Sequence, residues 1–269
     1  MKGFVWRIEN LDERGEGLKK NYYSSLCTEM YEILHGEAPQ DELEFYLSYA
    51  RKGMSILEPM CGSGRFLVPF LERGLDIRGV DLSGEMLDRL KKKAPAARVI
   101  QGDLLTYDPE ERFDYIFIPS GSVSLLTDME LCRAVLRKMK HLLKAGGKFV
   151  FAVDTVADRC PDDDGYRASV SVKTKEGMDL LLKEKKRYDV ETRTQFSPGI
   201  YELYDGTKLL RREEMDFQTH LYELGEIEPY LLEIGFAEVK VYASFEKEIA
   251  EDNRAEMFLY ECSLMESRM

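Results

Sequence analysis

ILEPMCGSGRFL, residues 56–67, runs from a short apolar strand through a glycine-bearing turn into a helix. Glycines in such a turn let backbone approach a ligand at the helix N-terminus, on the carboxyl edge of a sheet. Gly62 and Gly64 supply a G-x-G. The third glycine of a dinucleotide fingerprint would fall at position 67, which is Leu67. A pyrophosphate is disfavoured further by Glu58, the acid that closes the strand. A carboxylate there suits a ligand that presents a cationic amine and no phosphate.

The flanking pattern alternates strand and helix. MSILE (54–58), DIRGV (76–80), ARVI (97–100), FDYIFI (113–118) and KFVFAV (148–153) read as strands. Helices fall at about 65–73, 83–93 (Ser83 as N-cap) and 128–144, where Thr127 and Glu130 form a T-x-x-E capping box. Near-continuous apolar strands predict a parallel sheet covered on both faces. Upstream, 18–35 and about 40–52 have helical spacing and form an N-terminal cap over 1–53. After Asp154 the regularity fails. ASVSVKT, MDLLLKEKKRYDV, GIYELYDG and LLRREEMDFQTH read as antiparallel strands, with a hairpin turn at Asp205-Gly206. A helix at about 223–234 and strands at 238–242 and 257–264 return to the main sheet. The expected architecture is α/β: a Rossmann-like, doubly wound, mostly parallel seven-stranded sheet over 54–159 and 223–269. An antiparallel β insertion lies at 160–222.

Two further carboxylates extend the ligand reading. Asp81 ends the second strand, 23 residues after Glu58, where it can accept both hydroxyls of a ribose. Asp103, in QGDL after the third strand, can accept from the exocyclic amine of adenine. Together they describe an adenosine with a positively charged amino-acid tail.

The chain has 38 Lys+Arg against 50 Asp+Glu, a net charge of −12, which is a poor match to a polyanionic partner. No apolar run is long enough to span a membrane, and the acidic start is unlike a signal peptide. The five cysteines are widely spaced without C-x-x-C, so neither a disulfide framework nor a metal site is expected, and a cytoplasmic location is. The basic run KEKKRYDVETR (183–193) reads as a solvated strand face, Cys61 as a small buried filler, and His35 and His141 as helix-end residues.

ILEPMCGSGRF, GVDLSGEML, QGDL, FDYIFIPSGS and LKAGGKFVFAV, in this order, resemble the motifs of class I S-adenosylmethionine-dependent methyltransferases, in the small-molecule branch. The resemblance covers about 54–154 and, more weakly, 223–264. It implies S-adenosylmethionine as cofactor and S-adenosylhomocysteine as product. By this resemblance Glu58 acts near the amino group, and Met60, Gly62 and Gly64 line the methionine part, with Arg65 in the same motif. Asp81 binds ribose. Leu82 and Met86 flank adenine, Gly102, Asp103 and Leu104 cover its edge, and Pro119 and Ser120 lie near the sulfonium. The family usually has glycine at the position of Met60, so the backbone there is expected to run differently.

IPSGS after the fourth strand is not the N/D-P-P-Y type used on planar amino nitrogens, and no Pro-Cys nucleophile is present. These absences and the charge favour a small-molecule acceptor over nucleic acid or a protein side chain, with N, O or C as the methylated atom. Acceptor-side candidates are Ser122, Ser124, Tyr22, Tyr23 and Tyr31, with Arg167, Tyr201, Arg211 and His220 on the lid. Competing readings are a cofactor-binding module without catalysis and an NAD(P)-dependent oxidoreductase. A monomer or a homodimer is expected.

Overall fold

A computed structural model describes residues 21–266. The opening segment read for a signal peptide, and the first residues of the 18–35 helix, lie outside the described residues. Five strands form the parallel core: β1 (Ser55–Pro59), β2 (Asp76–Asp81), β3 (Arg98–Gln101), β4 (Phe113–Ile118) and β5 (Leu143–Asp154). The connecting helices are α3 (Leu67–Glu72), α4 (Gly84–Lys93) and α5 (Met129–Leu142). Upstream lie α1 (Ser25–His35) and α2 (Gln40–Leu47). Downstream, α6 (Glu228–Glu233), β13 (Glu238–Tyr242) and β14 (Met257–Ser263) complete the sheet. Its order is β13-β14-β5-β4-β1-β2-β3, and β14 runs antiparallel to both neighbours. The chain therefore switches direction across the sheet between β1 and β4, where open α/β sheets place their ligands.

Burial follows from the strand sequences. Every residue of β1 is buried, as a strand covered on both faces requires. In β5, Phe149, Phe151 and Val153 face one core with α5, while Val150 and Ala152 face the other with α2, α3 and α4. Period-two alternation thus feeds two apolar layers from one strand.

Seven short strands fill the insertion: β6 (Arg167–Lys173), β7 (Asp179–Glu184), β8 (Arg187–Asp189), β9 (Thr194–Phe196), β10 (Gly199–Asp205), β11 (Lys208–Met215) and β12 (Gln218–His220). They form two sheets, β11-β10-β7-β6 and β12-β9-β8. The sequence read 178–190 as one strand; it divides after Glu184 because β7 and β8 serve different sheets. A separate apolar cluster joins Leu26, Cys27 and Met30 of α1 to Leu180, Tyr201 and Met215 of the insertion.

Several boundaries differ from expectation. Tyr22 and Tyr23 precede α1 and are not within it, and α2 stops at Leu47. The capping box at Thr127 does not form. Asp128 is the N-cap of α5, accepting from the N–H of Glu130 at 2.9 Å and Leu131 at 3.1 Å. A carboxylate one residue nearer the helix outcompetes the threonine hydroxyl. Ser83 does cap α4, accepting from Met86 N–H at 3.2 Å.

Candidate functional site

At the carboxyl edge of the core strands lies a cavity of about 760 Å³. Its wall takes Tyr22, Tyr23 and Tyr31 from the N-terminal segment and α1. The β1–α3 turn supplies Glu58, Met60, Gly62 and Arg65. Asp81, Leu82 and Met86 come from β2 and α4, and Gly102, Asp103 and Leu104 follow β3. Pro119, Ser120 and Ser122 follow β4. The strand ends bring these segments together, since β1 lies between β2 and β4.

The turn is built by left-handed backbone. Gly62 has φ +50° and Met60 φ +57°, so Met60 adopts the conformation glycine takes freely, and the expected divergence at this position is not seen in φ. A non-glycine residue there costs about 1–2 kcal/mol. Met60 also packs against the apolar core. Asp81 fixes the turn. Its Oδ2 accepts from Gly62 N–H at 2.7 Å and its Oδ1 from Ser83 N–H at 2.8 Å. Each oxygen keeps lone-pair capacity for a further donor. Burial raises the Asp81 carboxyl above its usual range, and those N–H groups pull it back.

Glu58 is 2% exposed, and its Oε2 has no hydrogen-bond partner among the described residues. Burial, then the Asp81 charge, push its carboxyl well above the ordinary range, while Arg65 opposes the shift. Arg65 lies in the same wall, and its Nε is likewise buried without a partner among the described residues. A buried carboxylate oxygen and a buried guanidinium nitrogen, both unsatisfied, are costly unless a ligand meets them. A zwitterionic amino-acid tail satisfies both, so the residues fit the cofactor implied by the motifs.

The N-terminal segment is tied down over this wall. Tyr22 OH donates to Glu85 Oε2 at 2.6 Å, and Ser83 Oγ donates to the Tyr23 carbonyl at 3.0 Å. Asn21, with φ +52°, makes four bonds. Its Nδ2 donates to the carbonyls of Leu125 and Gln218, both at 2.8 Å, and its Oδ1 accepts from Gln218 N–H at 2.7 Å. Its own N–H donates to the Asp216 carbonyl at 3.0 Å. The cavity continues beyond the glycine turn to Leu126, Thr127, Asp128, Leu131 and Asp216. None of these was singled out for the site from sequence. Thr127 read as a helix cap, Asp128 as the first residue of that helix, and Asp216 as part of a strand.

Six expected site residues lie elsewhere. Gly64 faces α4, where a Cβ would come 2.7 Å from Leu90 Cγ. Ser124 is fully buried, its Oγ accepting from Asp154 N–H at 2.8 Å. His220 is 3% exposed, its ring nitrogens 2.8 Å from Glu226 Oε1 and 3.0 Å from the Thr192 carbonyl. Tyr201 belongs to the core beneath α1. Arg167 pairs with Asp163 and Asp164, and Arg211 with Glu213, on the surface. Arg167, Tyr201, Arg211 and His220 do lie on the inserted strands, whereas Gly64 and Ser124 belong to the turns after β1 and β4.

Asp154 ends β5 with its carboxylate against the Cα of Gly121, just past β4. No side-chain hydrogen bond is made to it among the described residues. Burial, with the Asp158 charge, pushes it up to about 7. A carboxyl raised in the fold binds protons that the unfolded chain releases, so this group lowers stability as pH climbs from about 4 to 7 and keeps it low above 7. Asp154→Asn is expected to gain on the order of 2 kcal/mol over the parent at pH 8 and almost nothing at pH 4. Urea denaturation at the two pH values measures this, and equal shifts at both would refute it.

The sheet order and the paired acids at the ends of β1 and β2 define an α/β protein whose cavity suits an adenosine-bearing amino acid. Residues 56–147 match the family model described as a methyltransferase domain. A putative methyltransferase of Geobacillus sp. (strain WCH70) is 24% identical over 245 residues, 85% of this chain and 94% of that protein. The dTDP-3-amino-3,4,6-trideoxy-alpha-D-glucopyranose N,N-dimethyltransferase of Streptomyces venezuelae is 28% identical over 110 residues. That match spans 41% of this chain and under half, 46%, of the relative. Among solved structures, the sugar N-methyltransferase KedS8 from Streptoalloteichus sp ATCC 53650 superposes with a TM-score of 0.70 at 20% identity. The superposition covers 88% of this chain and 92% of KedS8. The CcbJ methyltransferase from Streptomyces caelestis gives 0.69 at 20% identity, over 90% of this chain and 99% of CcbJ. Residues 56–147 thus match a methyltransferase domain, and the chain shares the fold of solved S-adenosylmethionine-dependent methyltransferases. No helix among the described residues is long and apolar enough to cross a membrane.

Proposed function

We propose that this enzyme transfers the methyl group of S-adenosylmethionine to an amine nitrogen of a small polar molecule. The charge of the cavity carries the choice of acceptor atom. Glu58, Asp81, Asp103, Asp128 and Asp216 line it, and Arg65 is the one cationic side chain on the wall among the described residues. Such a field concentrates amines and repels anionic acceptors. Asp128 and Asp216 come from the start of α5 and the β11–β12 link, which carry none of the nucleoside motifs. Asp128 uses Oδ1 for capping, and Asp216 uses Oδ2 to accept from Gln218 at 2.8 Å. The other oxygen of each is left for an acceptor N–H. Relatives named as N,N-dimethyltransferases of amino sugars support the same atom.

In this reading Glu58 holds the cofactor's amino group, Arg65 its carboxylate, and Asp81 the ribose hydroxyls. Leu82, Met86, Gly102, Asp103 and Leu104 enclose the adenine, with Met60 and Gly62 along the methionine part. Pro119 and Ser120 border the reacting end, and Tyr22 and Tyr23 close the cavity from above. Ser122, Tyr31 and Thr127 shape the acceptor's side. When bound, the cofactor supplies a methyl group already activated by its positively charged sulfur. The protein's task is to exclude water and hold the nitrogen in line, which contributes about 7–11 kcal/mol. The Asp128 and Asp216 carboxylates take the N–H hydrogen bonds, and one of them would accept the proton the nitrogen loses as the N–methyl bond forms and the sulfur–methyl bond breaks.

Calorimetry with S-adenosylhomocysteine and NAD, followed by transfer of labelled methyl to matched amines, phenols and carboxylic acids, tests the reading. Binding of the homocysteine nucleoside and label on amines are expected. Label on phenols or acids alone would refute nitrogen as the acceptor, and failure to bind S-adenosylhomocysteine would refute the cofactor site. Asp81→Ala is expected to weaken S-adenosylhomocysteine by about 1–3 kcal/mol, the loss of charge-assisted hydrogen bonds. Unchanged affinity would remove Asp81 from the ribose.

A further inference from the structure

Glu42 stands on α2, in no motif that drew attention in the sequence, yet it is 4% exposed. Asp41 and Glu44, its neighbours on the same helix, are exposed. Its Oε1 accepts from Ser120 N–H at 2.7 Å and from Ser120 Oγ at 2.9 Å, and its Oε2 lies 3.4 Å from an Arg65 terminal nitrogen. That nitrogen also donates to Ser120 Oγ at 2.9 Å. One carboxylate thus binds the two cavity residues that flank the methionine end, from the β1–α3 turn and from the residue after Pro119. Glu42 is not itself part of the cavity wall.

The arrangement fixes two features that are otherwise unfavourable. Ser120 has φ +54°, a left-handed conformation that a non-glycine residue holds only when its surroundings impose it. Two bonds to Glu42 impose it. Arg65 has a long side chain whose ordering costs up to about 2 kcal/mol of rotamer entropy. The ion pair to Glu42 and the contact of its guanidinium 5.2 Å from the Phe66 ring centre meet that cost during folding. The guanidinium is then already oriented when a ligand carboxylate arrives, which is how preorganisation raises affinity.

We propose that Glu42 is a positioning residue for the amino-acid end of the cofactor, acting through Arg65 and Ser120. This rests on the assignment of the cavity to S-adenosylmethionine. Two probes separate positioning from simple support of the fold. S-adenosylhomocysteine carries the amino-acid tail, and 5′-methylthioadenosine has the same nucleoside and sulfur without it.

Calorimetric affinities of both probes for the parent and for Glu42→Gln form the test. Glu42→Gln is expected to lower S-adenosylhomocysteine affinity about tenfold and to change 5′-methylthioadenosine affinity less than about twofold. Equal losses for the two probes would make Glu42 a structural residue, and unchanged affinity for both would make it irrelevant; either result overturns the proposal. If Glu42→Gln does not fold, Ser120→Ala removes the hydroxyl part of the bridge, its bonds to Glu42 and from Arg65, and leaves the backbone bond. It is expected to weaken the tailed probe alone, by about threefold or more. A loss shared by both probes, or none, overturns the proposal here too. A parent protein that binds neither probe refutes the cofactor assignment itself, a result distinct from any of these.

Discussion

Gly64→Val is expected to cost about 3–5 kcal/mol of folding stability, by adding a left-handed backbone penalty to core overpacking. Gly64 has φ +82°, and a Cβ there would lie 2.7 Å from Leu90 Cγ, 3.0 Å from Leu90 Cδ1 and 3.1 Å from Val68 Cγ2. Leu90 is fully buried on α4, so it has no open space to move into. The residue lets the start of α3 sit against α4, and through that contact it holds the β1–α3 turn beside β2. The damage is read in the urea midpoint of the ligand-free protein. Cofactor affinity falls only as a consequence. A valine variant with the parent's midpoint would show that this contact does not constrain the fold.

The second large effect falls on binding. Glu58→Ala is expected to lower S-adenosylhomocysteine affinity by about 3–5 kcal/mol, beyond a hundredfold, because it leaves a buried ammonium without its counter-charge. The pH dependence has a definite sign. Burial and Asp81 hold the Glu58 carboxyl well above the ordinary range in the free protein. An ammonium favours the ionised form, so binding expels a proton and affinity rises with pH as the carboxyl ionises. Calorimetry in phosphate and in Tris should therefore return different apparent enthalpies for the parent and matching ones for Glu58→Gln. Buffer-independent enthalpy in the parent would mean that Glu58 is already ionised or does not meet the amine.

The parts of the site that were legible in sequence share a physical reason. Glu58 and Asp81 stand at the carboxyl ends of core strands, and a charge at such a position stands out without any knowledge of its partners. FDYIFI is the same β4 in sequence and in structure, Phe113–Ile118, because a strand buried on both faces leaves no ambiguity of register. Arg167, Arg211 and His220 stood out in sequence as polar residues of the insertion, yet each faces an acid only a few residues along the chain, Asp163, Glu213 and Glu226, and lies outside the cavity wall. Glu42 was illegible for the opposite reason. On a short helix with acids at 41, 42 and 44, nothing in the spacing distinguishes the one that turns inward. Gly64 was singled out for the methionine part of the cofactor, and the constraint the fold shows there is a leucine on the next helix.

The four bonds of Asn21 join stretches of chain that are about a hundred and two hundred residues apart. A single amide side chain thereby clasps the N-terminal segment, the turn after β4 and the link between β11 and β12. Loosening any one of these stretches at that corner strips bonds from the other two, so the corner behaves as a latch that is either shut or undone. Asn21 itself lines the cavity, so Asn21→Ala is expected to free three parts of the cavity rim together.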